Sequence, residues 1–161
     1  MTRIEIDANT KGAIGESLVL GNRAPPKPIA DELFRFISEL NDTGENPRPT
    51  ARVRRNVYFN ATNEEGEKMV WQADGRITIR WCSQEAQRNV DHEFAHHDVE
   101  AVFPVDVKTG PHARLERDQQ KVARVIARTP NNVFPTVIGV TIDQLLESFK
   151  TDTKIFGRDL E

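Results

Sequence analysis

Across the stretch DTGENPRPT, residues 42–50, the spacing of apolar residues changes, and with it the kind of element the chain can build. Upstream the spacing is helical. After Asn9 or Thr10, either of which can cap a helix, KGAIGESLVLGN places Ile14, Leu18 and Val19 on one helix face, and Gly21-Asn22 ends it. RAPPKP is a rigid connector, because prolines cannot sit inside a helix. IADELFRFISELND follows as an amphipathic helix with Ile29, Leu33, Phe36, Ile37 and Leu40 on its apolar side.

Downstream the period shortens toward two. VRRNVYFNA and KMVWQA-DG-RITIRWC read as strands, the second pair joined at Asp74-Gly75, a two-residue hairpin signal. SQEAQRNV is a short helical or irregular passage, and residues 98–109 return to strand, stopped by Thr109-Gly110-Pro111. ARLERDQQKVARVIAR is the clearest helix of the second half, VFPTVIGVTI a β-branched strand and DQLLESFK a closing short helix. The order of elements predicts an α/β fold: one sandwich-like domain over residues 1–150, a central mixed β-sheet flanked by helices, and a tail at 151–161.

The 161 residues suit one domain with a real core, and 29% charged against 37% hydrophobic residues excludes collagen-like, coiled-coil and wholly disordered chains. No run approaches the roughly 18 apolar residues of a membrane span, and the N-terminus has no apolar stretch behind Arg3. No membrane partner is expected. A single cysteine, Cys82, excludes an internal disulfide and a thiolate zinc cluster, so a reducing, cytoplasmic setting is expected. The net charge of −3 hides two basic zones: four arginines and no acid in residues 48–61, and six Lys/Arg against three acids in residues 105–128.

On a strand through residues 105–109, Val105 and Val107 point one way and Asp106 and Lys108 the other. Charges on an apolar strand must reach solvent or be used. With residues 98–101 and 105–109 as neighbouring strands, Asp98, Asp106 and Lys108 converge at one edge. Two carboxylates on Mg²⁺ beside a lysine are the parts of metal-assisted phosphodiester hydrolysis, in which the scissile phosphate is polarised, the attacking water acidified and developing charge offset by Lys108.

HDVEAVFPVDVKTG followed by ARLERDQ resembles the PD-(D/E)XK, or restriction-endonuclease-like, nuclease superfamily: an aspartate on one core strand, acid-x-Lys on the next, then a helix. KGAIGESLVL is similar to the first-helix KGxxGExxV pattern of resolvase-like branches. The resemblance implies a restriction-endonuclease-like core, Mg²⁺ or Mn²⁺ as cofactor and DNA as substrate. It makes Asp98 and Asp106 metal ligands, Lys108 the catalytic lysine, Glu16 an auxiliary metal-facing acid, and Gln119 or Gln120 a glutamine near the site. Eight residues between Asp98 and Asp106 is short for a hairpin, and Pro104 lies between them, so Asp91 or Glu100 stands as an alternative to Asp98. Cutting both strands of a duplex with one small site per chain suits a homodimer.

Arg114, Arg117, Lys121, Arg124 and Arg128 recur at spacings of three and four, a cationic stripe that can follow a phosphate backbone. A nuclease-fold module that binds nucleic acid without cutting it has the same stripe. A different class is offered by HEFAH, residues 92–96, which matches the HExxH signature of zinc peptidases, with Glu116 at a third-ligand spacing. That reading leaves VDVKTG and the basic stripe unused. Trp71 and Trp81 are expected to pack across strands rather than stack on bases.

Overall fold

The computed structural model describes residues 8–88, 97–109, 114–129, 131–142, 148–156 and 158. Helices α1 (Ala8–Leu20) and α2 (Lys27–Leu40) precede the long strands β1 (Thr50–Thr62) and β2 (Lys68–Trp81). A short α3 (Gln84–Arg88) leads toward β3 (Val99–Thr109), followed by α4 (Arg117–Arg128), β4 (Thr136–Ile142) and β5 (Phe149–Ile155). The five strands form one mixed sheet in sequential order, antiparallel throughout except for the parallel pair β3–β4, which α4 connects.

The expected single α/β domain with a mixed sheet between helices is therefore present. Pro26 caps α2 and Pro28 lies in its first turn, where a missing N–H costs nothing. Ile29, Leu33, Phe36 and Ile37 are buried against Ile77, Ile79, Ala101, Phe103 and Val105 of the sheet. On the opposite face, Val122, Ala123 and Ile126 of α4 pack with Val137 and Phe156 and with Trp71 and Ala73.

Trp71 and Ala73 share odd parity with Ile77 and Ile79, yet the two pairs pack in different layers. The β1–β2 ribbon has therefore rolled its buried face from the α1/α2 layer to the α4 layer between Ala73 and Ile77. The roll coincides with Asn56, whose φ is +53°, and with a gap in the ladder: Arg55 pairs with Gly75 and Val57 with Ala73, in the same register on both sides. Pairing of β2 with β3 runs only from Gly75 to Trp81, so residues 57–73 form an arm that leaves the sheet.

Three expectations are corrected here. Asp74-Gly75 is no hairpin turn; it lies inside the continuous strand β2. The chain reverses instead at Asn63–Glu67, where Asn63 Oδ1 accepts the backbone N–H groups of Glu65 (3.0 Å) and Glu67 (2.8 Å) and Gly66 takes φ +83°. Gly75 answers to packing: a Cβ there would stand 2.7 Å from Arg54 O and 3.0 Å from Leu20 Cδ1. Residues 98–101 and 105–109 are not neighbouring strands, because β3 runs unbroken through Pro104. Residues 151–155 of the expected tail are strand; with Phe149 and Lys150 they form β5, a polar edge strand paired to β4. Residues 143–147 of the expected closing helix lie outside the described residues.

Pro104 is tolerated in a central strand because its missing donor is replaced. Val102 N–H bonds Asn132 O, and Phe134 N–H bonds Val102 O, so the next acceptor due to β3 is Phe134 O. Thr136 Oγ1 donates to that carbonyl at 2.8 Å.

Candidate metal and phosphate site

Where the arm leaves the sheet, β2 and β3 bring two carboxylates and a lysine together. The pair Gly75–Val105 sets the antiparallel register, and one step beyond it Asp74 faces Asp106. Asp74 Oδ2 accepts the backbone N–H of Val107 at 2.8 Å. Asp106 is 3% exposed, and Lys108 Nζ lies 2.9 Å from its Oδ2. That contact is an ion pair without hydrogen-bond direction: among the described residues, Asp106 Oδ2 and Trp71 Nε1 are the buried side-chain atoms with no hydrogen-bond partner. A carboxyl buried beside a second carboxyl is costly to ionise, and the Lys108 ammonium or a bound cation offsets that cost.

The electrostatics follow. Burial pushes the Asp106 carboxyl up to about 7, the adjoining Asp74 carboxyl adds to the rise, and Lys108 opposes it. Burial would lower Lys108, but Asp106, Glu116 and Asp74 outweigh it and raise it, so the ammonium stays charged. Two hard carboxylates from adjacent strands, one of them buried, suit Mg²⁺ or Mn²⁺, which are held by one or two carboxylates with water and substrate phosphate completing the shell. Among the described residues no third histidine, cysteine or carboxylate completes a group of three at metal-binding distance.

The other expected site residues lie elsewhere. Asp98 stands at the opposite end of β3, eight residues from Asp106, about 26 Å along an extended strand. Its oxygens accept Ser83 N–H at 2.7 Å and Ser83 Oγ–H at 2.5 Å, and these bonds hold its carboxyl below the usual range. Ser83 Oγ in turn accepts Ala86 N–H, so Asp98 braces the start of α3 and is not a partner of Asp106. Glu100 pairs with Arg80 at 3.7 Å on the same distant end, and Asp91 lies outside the described residues. Among the described residues it is Asp74, not Asp98, that stands beside Asp106.

Gly15 of α1 packs on Thr109 and Val107, which brings α1 over the end of β3. Glu16, the next residue, pairs with Arg55 at 3.7 Å and does not join the two aspartates. Gln119 Oε1 accepts Glu116 N–H at 2.9 Å in a capping box that starts α4, and Gln120 donates to Leu115 O. Arg117, Lys121 and Arg124 are exposed on the side of α4 away from Val122 and Ile126; Arg114 is exposed too but precedes the helix, which starts at Arg117 and not at residue 113.

The HExxH residues 92–96 lie outside the described residues. His97 Nε2 meets Arg48 O at 2.7 Å. Trp71 packs on its cross-strand partner Phe59 and Trp81 on Phe34, so both indoles serve the core. No helix among the described residues is long and apolar enough to cross a membrane. Comparison of the chain with protein-family models, with curated proteins and with solved structures finds no match.

Proposed function

We propose that this protein is a metal-dependent nuclease of the PD-(D/E)XK type that hydrolyses DNA phosphodiester bonds, with Asp74, Asp106 and Lys108 as its working residues. The observation that carries the reading is the meeting of Asp74, from β2, with the buried Asp106 carboxyl and Lys108, from one face of β3. The acid-x-Lys strand followed by a helix and a parallel strand agrees with the resemblance of the sequence to that superfamily.

Asp74 and Asp106 would hold Mg²⁺ or Mn²⁺. Bound there, the ion supplies Lewis acidity toward the phosphate and a water of lowered pKa. The chain's own part is positional. The Val107 N–H holds Asp74 while Val105 and Val107 anchor β3 in the core, so the two carboxylates face each other when the arm lies against the sheet. Lys108, kept cationic by its acidic neighbours, offsets charge that grows on the phosphate. A homodimer with one site for each strand of a duplex is the assembly this reading expects.

The test is cleavage of supercoiled plasmid and of a branched DNA in Mg²⁺ or Mn²⁺. Cleavage abolished by chelator and by Lys108→Ala, and retained by His96→Ala, supports the reading. Binding without turnover in either metal would leave a nucleic-acid-binding module instead. Loss of all activity in His96→Ala, with a zinc ion released, would return the protein to the peptidase class.

A further inference from the structure

The basic zone at residues 48–61 has a defined place in the fold. On the sheet-bound half of the β1–β2 ribbon, the odd residues Val53, Ile77 and Ile79 face the α1/α2 core, so the even residues Arg52, Arg54 and Arg76 face the other way. There α4 packs against the arm and β4, and no helix among the described residues covers this part of the ribbon. Arg52 and Arg54 are exposed and Arg76 half-buried.

Arg54 stands directly opposite Arg76, with Arg52 on the next rung of the same face. Like charges directly across a ladder destabilise it. The two other arginines of this ribbon half with charge partners, Arg55 and Arg80, pair with Glu16 and Glu100, whereas Arg52, Arg54 and Arg76 have no carboxylate within ion-pair reach among the described residues. The Arg54–Arg76 rung lies about 7 Å along the strand from Asp74, two residues on the same face. The result is a cationic track that ends at the two carboxylates.

We infer that a DNA phosphate backbone crosses this open sheet face, gripped by Arg52, Arg54 and Arg76, and enters the Asp74–Asp106 site from it. The α4 stripe fits the task less well: Glu116 and Asp118 interrupt its first turn, Arg124 is already engaged within the chain, and the stripe faces away from the sheet that bears Asp106. Anionic DNA complements the uncompensated arginines, and binding would relieve their mutual repulsion. The inference deepens the nuclease reading and rests on it for the path into the carboxylates.

The test is anisotropy of a labelled 20-nucleotide DNA, duplex and single-stranded, in chelator across a salt titration. The variants are R52A/R54A/R76A, its all-lysine counterpart, and R117A/K121A/R128A on α4. The alanine variant of the sheet face should bind at least about tenfold more weakly and lose about 2 to 3 from the log–log salt slope, near 0.9 per duplex contact and 0.7 per single-strand contact. The lysine counterpart should keep most of that slope, which separates lost charge from lost fold, and the α4 variant should stay near wild type. The tighter of the two DNA forms names the substrate. Binding that depends on the α4 residues, or wild-type protein with no salt-dependent affinity for either form, overturns the inference. Cleavage is scored separately in Mg²⁺: arginine-dependent binding without cutting removes the nuclease reading and leaves the surface, and cutting that survives R52A/R54A/R76A with unchanged KM does the reverse.

Discussion

The two ends of β3 each present an aspartate of even parity, and the two are in opposite states. Asp98 is exposed, takes two hydrogen bonds from Ser83 and is held below the usual carboxylate range. Asp106 is buried, stands against Asp74 and Lys108 and is pushed up to about 7. A carboxylate that is fully satisfied braces structure. One that is buried beside a second carboxyl is costly to ionise, and that cost is what a bound cation would relieve.

The sharpest way to break this contrast is through turnover. Alanine at Lys108 should lower the cleavage rate by about 10²–10³ if the ammonium offsets developing charge, and Asp74→Ala and Asp106→Ala should do at least as much. Asp98→Ala should stay within about threefold of wild type, measured as initial rates on plasmid at saturating Mg²⁺. Equal losses at both ends of β3 would erase the distinction.

Proton uptake gives the next effect in size. With metal chelated, the folded protein keeps the Asp106 proton to about pH 7, whereas the unfolded chain releases it near pH ~4. The folded state then holds the extra proton, so stability falls as pH rises through this window, by roughly 1.4 kcal/mol per unit, and levels off above it. Asp106→Asn removes that slope. Relative to wild type it should melt at a progressively higher temperature between pH 5 and pH 8, and a difference that stays flat would show that Asp106 is ionised throughout.

The smallest effect belongs to Asp98. Its alanine variant loses the Ser83 bonds and should unfold about 1 kcal/mol more easily in urea, with no change in m-value. Because Ser83 bonds ionised Asp98, this contribution is lost only when pH falls below the ordinary carboxylate range, the opposite sense to Asp106.

The same contrast explains what the sequence reveals. Strand alternation alone puts Asp106 and Lys108 on one face, and the 3.6-residue period alone identifies the core of α2 and α4. Asp74 is hidden because Asp-Gly carries turn chemistry, and what overrides it is tertiary: the Arg54 carbonyl and Leu20 crowd the place a Cβ at Gly75 would take, while the β1 ladder runs past without changing register. The true turn depends on Asn63 folding onto its own backbone, a local signal that NEEG does carry. Asp98 misleads because motif spacing is counted along the chain, and one unbroken strand turns eight residues into distance rather than proximity. The strand β5 escapes notice because an edge strand rich in lysine, aspartate and threonine lacks the apolar alternation of an inner one.

The arm of residues 57–73 has a dynamic consequence. Its two strands bond to each other and rest on α4, without the further ladder that β3 gives the rest of β2. Segments of lower local stability open without global unfolding, so amide exchange along β2 should be slow from Ile77 to Trp81 and faster from Val70 to Ala73. Asp74 sits on the seam between these two regimes. Each opening of the arm would carry one carboxylate away from the other, which makes the spacing of the two acids an equilibrium that a bridging cation and a seated phosphate would draw toward the closed state.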